Sequence, residues 1–573
     1  MQRRATVTAG EFQPQNVANV LWALATMGER ADAGLLEAMQ RRATVTAGEF
    51  QPQGVANVLW ALAKMGEKAD PGLLDAIQWR ATAMAWDFEP QEVSNVLWAL
   101  AKMGEKVDPE LMEAMQRRAI VTAGGFTPQG VTNLLWALAT MRERADRGLL
   151  EAMQMRATAT AVEFNPQGIS IVFWSLATMG EQLDPKLLVA MQGWATATAG
   201  EFKPQGVANV LWALAVFGET ADRGLLEAMQ RRATATAGHF TPQGVVNVVW
   251  ALAKMGAKAD RRLLEAMQIR ATATARQFKP LAVVNLLWAL AKMGERADPA
   301  LLEAMQRQAS TIAGDFIPQE IANLFWALAK MGDKADQGLL DAMQRRVTAI
   351  AGDFNSQEVA NVLWSLAVMG EVHAEVLVDV IDRLAARILE LRGYLSEADK
   401  HQVHQWLLAC ELDLVSGASL PSGVARVKQE LSGECFQSFS GRATTGSELQ
   451  QEVAVALRRA GLEIKEEHRD ARSGYSIDVL VRRPPAAGRT AGGATSPKVP
   501  RSGWAVEVDG PTHFLGDDRT PSGSTLLKRK QLGQLGYTVV PVPFWEWRAL
   551  WGEEEKQRYL EDKLRGGGSS TCW

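Results

Sequence analysis

The chain has 573 residues, of which 47% are hydrophobic and 22% charged, with a net charge of -4 and a pI near 6.0. That mild acidity counts against a nucleic-acid binder, which ordinarily shows a basic face, without excluding one whose charges segregate. Three cysteines without paired spacing (Cys410, Cys435, Cys572) argue against a disulfide framework or a zinc site and fit a reducing compartment, and no apolar run is long enough to span a bilayer.

The first residues, Met1-Gln2-Arg3-Arg4, are in phase with Met39-Gln40-Arg41-Arg42, so the chain is expected to open inside a helix, as a truncated product or an incomplete gene model would. From there a 38-residue unit recurs, marked by Trp22, Trp60, Trp98, Trp136, Trp174, Trp212, Trp250, Trp288, Trp326 and Trp364. A unit of this size cannot bury its apolar face alone and needs its neighbours to cover it. Residues 1–380 are therefore expected to form an all-α solenoid of about ten helix-pair repeats, whose long surface suits a long, thin partner.

Residues 50–87 serve as the specimen repeat. Pro52 suits the first turn of a helix, Val55, Val58, Leu59, Leu62 and Ala63 form an apolar stripe, and Gly66 is the expected C-cap. Asp70-Pro71 then reads as N-cap and N1 of a second helix, buried through Leu73, Leu74, Ile77 and Ala81.

A second stripe on the first helix carries Gln53, Asn57, Trp60 and Lys64. The asparagine recurs in every repeat, Asn209 among them, except at Ile171. Two readings stand side by side. Asn and Trp tie neighbouring repeats together, or they face the groove and touch a ligand. The residue before the helix-opening position varies instead: Gln13, Gln51, Glu89, Thr127, Asn165, Lys203, Thr241, Lys279, Ile317, Asn355. Most of these offer different donor and acceptor patterns, as a one-base-per-repeat reader requires, and drift at exposed turns is the competing reading. Arg42, Arg118, Arg232 and Arg346, late in the second helices, have no acid one turn earlier and are candidate phosphate contacts.

The unit F-x-P-Q-x-V-A-N-V-L-W-A-L-A-x-M-G, at 50–66 and 202–218, resembles the octotricopeptide repeat, a 38-residue helical pair of organellar RNA-binding proteins.

Past residue 380 the pattern decays. Residues 381–412 read as a degenerate capping repeat and 413–446, rich in Ser and Gly, as a linker. From 447 to 566 the grammar is a helix at Glu448–Ala460, strands at Tyr475–Val481 and Trp504–Gly510, a helix at Thr525–Leu535 and a strand at Tyr537–Pro543, which predicts a small α/β domain. Residues 484–500 and 567–573 read as a disordered loop and a disordered tail.

This segment resembles the RAP domain through I-D-V-L-V at 477–481, A-V-E-V-D-G-P-T-H-F at 505–514, T-L-L-K-R-K-Q-L at 525–532 and P-F-W-E-W at 543–547. The resemblance implies a restriction-endonuclease-like fold. In such nucleases a strand Asp and an acidic residue on the next strand converge on Mg²⁺, here Asp478 and Glu507. The lysine expected two residues later is Asp509, so Lys528 would supply charge from the helix and His513 would act as acid or base. The competing reading is a binding-only relic in which the carboxylates pair with Lys528, Arg529 or Lys530 and the basic helix holds RNA.

The reading that unites the two halves is a selective single-stranded-RNA binder in an organelle, with the mitochondrion favoured over the plastid. It would serve processing, stability or translation of transcripts or ribosomal RNA within ribonucleoprotein assemblies. Neither a membrane nor a small-molecule cofactor is expected, and Mg²⁺ enters only if the domain is a nuclease. An endoribonuclease and a protein-interaction scaffold are the rivals.

Overall fold

The computed structural model describes residues 2–28, 31–218, 222–414, 419–442, 446–482, 503–516 and 519–566, and divides into two compact units, residues 1–270 and 271–573. The expected loop at 484–500 and tail at 567–573 lie outside the described residues.

In the first unit each complete repeat is a 14-residue helix, a 13-residue helix and a short 3-10 turn, as in Pro52–Met65, Pro71–Ala83 and Ala85–Asp87. Proline at N1 costs the first helix nothing, because that N–H has no intrahelical partner. The helix stops at a left-handed residue, Gly66 with φ +77, where a side chain would be strained. Arg142 takes the same conformation at φ +56 without being glycine. First helices pack on first helices of the adjoining repeats through Val55, Val58, Leu59 and Leu62, all fully buried. Phe50, Phe88, Phe126, Phe202 and Phe240, at the turn into each first helix, are also fully buried.

A polar ladder of glutamines runs between repeats. The buried Gln78 accepts from the Asp108 N–H at 2.8 Å and donates to the Lys106 carbonyl, which joins one second helix to the cap of the next. Gln40, Gln116, Gln154, Gln192 and Gln230 make the same bond to Asp70, Asp146, Asp184, Asp222 and Asp260. These buried glutamines were not singled out from sequence.

In the second unit three more repeats lead into helices Val378–Glu390 and Glu397–Leu412, and then into Ser422–Ser440. The linker expected at 413–446 is thus corrected. Val424, Val427, Leu431, Cys435 and Phe439 recur at helical spacing and bury one face of the third helix against the two before it.

The C-terminal domain holds a mixed sheet in the order β1 (Ile464–Arg469), β2 (Ser476–Val481), β3 (Gly503–Asp509), β6 (Tyr537–Pro543), with β3 and β6 parallel and the other pairs antiparallel. A two-residue ladder joins β4 (Phe514–Leu515) to β5 (Thr520–Pro521). The helix Gly523–Gln534 makes the crossover that a parallel pair requires. One sheet face packs Val479, Val506, Val508, Val540 and Val542 against Val453, Leu457, Trp547 and Leu560. The opposite face packs Leu480, Ala505 and Tyr537 with Leu532 and, from the capping helices, Leu408 and Phe439. The second face is therefore completed by the repeat array of the same unit. Gly523 fits only because it lacks a Cβ, which would stand 1.7 Å from the Ala329 carbonyl oxygen.

Candidate functional sites

The first candidate is a groove on the first helices of the first unit, about 1000 Å³ in volume. Trp60, Trp98, Trp136 and Trp174 line it together with Gln129, Gln167, Gln205, Asn133, Asn209 and Lys64. Helical geometry puts them there: Gln53, Asn57, Trp60 and Lys64 fall on one face, roughly 100° away from the buried stripe. The tryptophans are half-buried, and the Trp98 and Trp136 ring centroids stand 6.4 Å apart at 41°. Asn57, Asn133 and Asn209 are half-exposed and make no side-chain hydrogen bond among the described residues, so their amides are open to a ligand. Gln243 and Asn247 bond each other at 2.7 Å.

The variable N-cap residues are exposed, and Asn165 and Lys203 reach the groove. Several have a structural task. The side chains of Thr127, Asn165, Thr241 and Asn355 accept from the N–H three residues on, at Gly130, Gly168, Gly244 and Glu358. Where the cap is Gln13, Glu89 or Ile317, the third residue reaches back instead, through Asn16, Glu92 or Glu320. Much of the covariation at these two positions is thus two ways of satisfying one helix end. Gln51, Lys203 and Lys279 make no side-chain cap bond, which leaves their side chains without a structural task at the helix end.

The arginine row is corrected. Arg42, Arg118 and Arg232 in the first unit and Arg346 in the second each donate Nε–H to the carbonyl of Phe12, Phe88, Phe202 or Phe316, thirty positions earlier, at 2.6–2.8 Å. Trp194 and Gln308 make the same bond from the same position, to Phe164 and Phe278, so donating this hydrogen bond is the task the position shares in every repeat named. Lys64, Lys102 and Lys254, four residues after Trp60, Trp98 and Trp250, are exposed and without an ion pair among the described residues, and Lys64 and Lys203 line the groove itself.

In the second unit the last repeat differs. Trp364 is buried and donates to Gln405 at 3.0 Å, and Gln402 donates to Asn361 at 2.8 Å. The capping helix Glu397–Leu412 thereby closes the face that other repeats leave open.

The second candidate lies at the N-terminal half of β2 and the C-terminal end of β3, which the antiparallel register brings side by side. The register Val479 opposite Val506 sets Asp478 opposite Glu507, and Glu507 and Asp509 share the face under the basic helix. Lys528 Nζ lies 2.5 Å from Glu507, and Arg529 2.5 Å from Asp509, whose other oxygen takes His513 Nδ1 at 3.0 Å. Asp478 accepts the Val508 N–H at 2.7 Å. The structure thus brings Asp478, Glu507, Asp509, His513 and Lys528 together. It also corrects the basic helix as an RNA-facing strip. Lys528 and Arg529 point into the domain, and Lys530 pairs with Asp413 at 2.7 Å.

Three carboxylates face two cations in a dry setting, which favours the protonated form of the least compensated carboxyl. Burial, reinforced by Asp478, pushes Glu507 up to about 8 against the pull of Lys528. Burial raises Asp478 as well. Lys528, which faces all three acids, is held up in turn. A divalent ion needs several free oxygens. Asp509 has given both of its own to Arg529 and His513, and Lys528 stands against Glu507. Among the described residues no group of three or more His, Cys, Asp or Glu is placed to hold a metal ion. These residues do not fit Mg²⁺.

Comparison with known proteins agrees with this division. The family described as RNA-editing substrate-binding complex 6 protein matches residues 1–182 and 68–298, and the RAP domain matches 506–563. A rice protein (Oryza sativa subsp. japonica) described as "RAP domain-containing protein, chloroplastic" is 41% identical over 56 residues, 10% of this chain and 9% of the rice protein. Among solved structures, a homology model of the full-length AP-3 complex in an intermediate open conformation aligns with TM-score 0.30 and 10% identity over 80% of this chain and 90% of that one. Kap121p bound to Nup53p aligns with TM-score 0.25 and 12% identity over 80% and 57%.

Proposed function

The chain belongs to the helical-repeat family described as RNA-editing substrate-binding complex 6 protein and ends in a RAP domain, and from that premise we propose that its groove binds single-stranded RNA with sequence preference. The observation that carries this is the groove's lining: half-buried indoles beside unpaired Asn and Gln amides, with unpaired lysines one turn on. Indoles stack on bases of any sequence, amides discriminate base edges, and lysines hold phosphates. An extended peptide could use the same indoles and amides, and the unpaired lysines beside them are what favour a polyanion. Because the cap covers Trp364 and Asn361, the last repeat adds no open reading position.

The setting we propose is an organelle, mitochondrion or plastid, with RNA processing, stability or translation as the outcome and a ribonucleoprotein assembly as the context. The repeat family's description is RNA-related, and the rice relative's description is chloroplastic. In this reading the RAP domain holds no metal and does not cleave, a reading supported by Lys528 and Arg529 occupying Glu507 and Asp509.

Crosslinking with RNA sequencing in cells tests the proposal, followed by binding of the enriched sequence to the purified chain at several salt concentrations. A recurrent motif bound with a steep salt dependence is expected. The absence of any enriched RNA sinks the reading, and cleavage in Mg²⁺ or Mn²⁺ lost in Asp478→Ala promotes the nuclease.

A further inference from the structure

The lining of the groove changes little from one repeat to the next. Gln129 and Asn133, Gln205 and Asn209, and Gln243 and Asn247 line it as three equivalent pairs, each glutamine exposed and each asparagine half-exposed. The two members of a pair stand four residues apart, neighbours on the helix face, with a tryptophan three residues further on. What varies between repeats is the N-cap, and there Thr127, Asn165 and Thr241 spend their side chains on the helix end. A surface that presents the same groups at each step suits a ligand that also presents the same groups at each step.

The chemistry of the pair narrows the base. Gln243 donates from Nε2 to Asn247 Oδ1 at 2.7 Å, which uses one donor of the glutamine and the acceptor of the asparagine. The Asn Nδ2–H and the Gln Oε1 are left side by side, a donor next to an acceptor. Adenine answers with its N6 amino group beside N7 or N1, and cytosine with its N4 amino group beside N3. Guanine and uracil carry a carbonyl oxygen where those two carry the amino group, so they set oxygen against oxygen. The larger purine face then favours adenine on the indoles.

One repeat breaks the series. Ile171 lines the groove where the asparagine would stand, beside Gln167, and Thr178 takes the place held by Lys64 and Lys102. The helix Pro166–Met179 thus keeps its indole, Trp174, and loses the donor of the pair. It can hold a base without reading its edge.

We propose, on the RNA reading above, that the groove takes a run of adenosines in single-stranded RNA, one base per repeat, with one unread place at Ile171. The constant Gln and Asn set the base, and the N-caps do not.

The test is fluorescence anisotropy of the full chain with labelled RNAs of about a dozen nucleotides, close to one per repeat. The set is an A tract, a C tract, a U tract, a mixed sequence, and an A tract with one central uridine. The A tract should bind at least about tenfold tighter than the U tract or the mixed sequence, with the C tract between. The central uridine, which can settle opposite Ile171, should cost the wild-type chain no more than about twofold and should cost Ile171→Asn about tenfold. That substitution restores the residue found at the equivalent place in the adjoining repeats, Asn133 and Asn209, so the helix is preserved. A mixed sequence or another tract bound as tightly as the A tract overturns the proposal while leaving the groove an RNA site. Equal tolerance of the uridine by both chains overturns it as well. Failure to bind any of these RNAs, or those of the crosslinked set, counts against the groove as an RNA site and takes the proposal with it.

Discussion

Arg80 Nε donates to the Phe50 carbonyl at 2.9 Å, across thirty residues of sequence and one repeat of structure. The bond recurs down the first unit and closes a backbone acceptor that the buried phenylalanine would otherwise leave unpaired. Arg232→Ala should therefore lower stability by about 1.5–3 kcal/mol, the worth of a hydrogen bond with one charged partner. Urea unfolding measures the loss. The salt dependence of RNA binding should not change, whereas Lys64→Ala, Lys102→Ala or Lys254→Ala should each reduce the slope by about one. A flattened slope in Arg232→Ala would return the arginines to the phosphates.

The two aromatic series separate stability from binding. Phe126 is fully buried, and Phe126→Ala should cost about 3–5 kcal/mol. Trp136 is half-buried on the groove wall, so Trp136→Ala should cost clearly less in unfolding and weaken RNA binding by about 1–3 kcal/mol. Equal destabilisation with unchanged binding would make the tryptophan an inter-repeat wedge.

Arg142 is the one position among the first helices of the first unit where a non-glycine closes the helix in the left-handed region. Arg142→Gly should raise stability by about 1 kcal/mol by relieving that strain, net of glycine's greater unfolded-state freedom. A lower unfolding midpoint would mean that the arginine side chain contributes more than the backbone loses.

The acid cluster makes a pH prediction. A carboxyl raised from 4.5 to about 8 on folding stabilises fully below about 4.5, and that contribution is lost as pH rises through 8. The second unit should therefore lose stability between about pH 5 and 8, and Glu507→Gln should flatten that part of the profile. A flat wild-type profile would show Glu507 ionised throughout, paired with Lys528 as a full salt bridge.

The repeat was legible because its signals are local. Pro52, Gly66, Asp70 and the apolar stripes each act within a few residues, and all appear where periodicity puts them. The strands of the RAP domain were legible from β-branched runs, while β1 was missed because Lys465-Glu466-Glu467-His468 looks solvated and is strand only by pairing with β2. The arginine row was misjudged for a related reason. Its partner is a carbonyl thirty residues away, and sequence spacing shows side-chain acids but not backbone acceptors. Lys528, Arg529 and Lys530 read as a basic strip, although a helix sends neighbouring residues in different directions, here to Glu507, Asp509 and Asp413.

Gly523 lies where a methyl group would strike the Ala329 carbonyl, and the Gly516 N–H bonds the Gly294 carbonyl at 2.5 Å, so the RAP domain rests on the ends of particular first helices in its own unit. This restricts how such a gene can change length. A unit duplicated or deleted among residues 280–412 shifts that seat by a whole repeat and leaves Leu408 and Phe439 facing the wrong partners. A unit gained or lost before them leaves every one of these contacts in place. Reading length can therefore be edited only from the upstream side, and families built on this plan should differ in repeat number there while the last repeats stay fixed to the domain they carry.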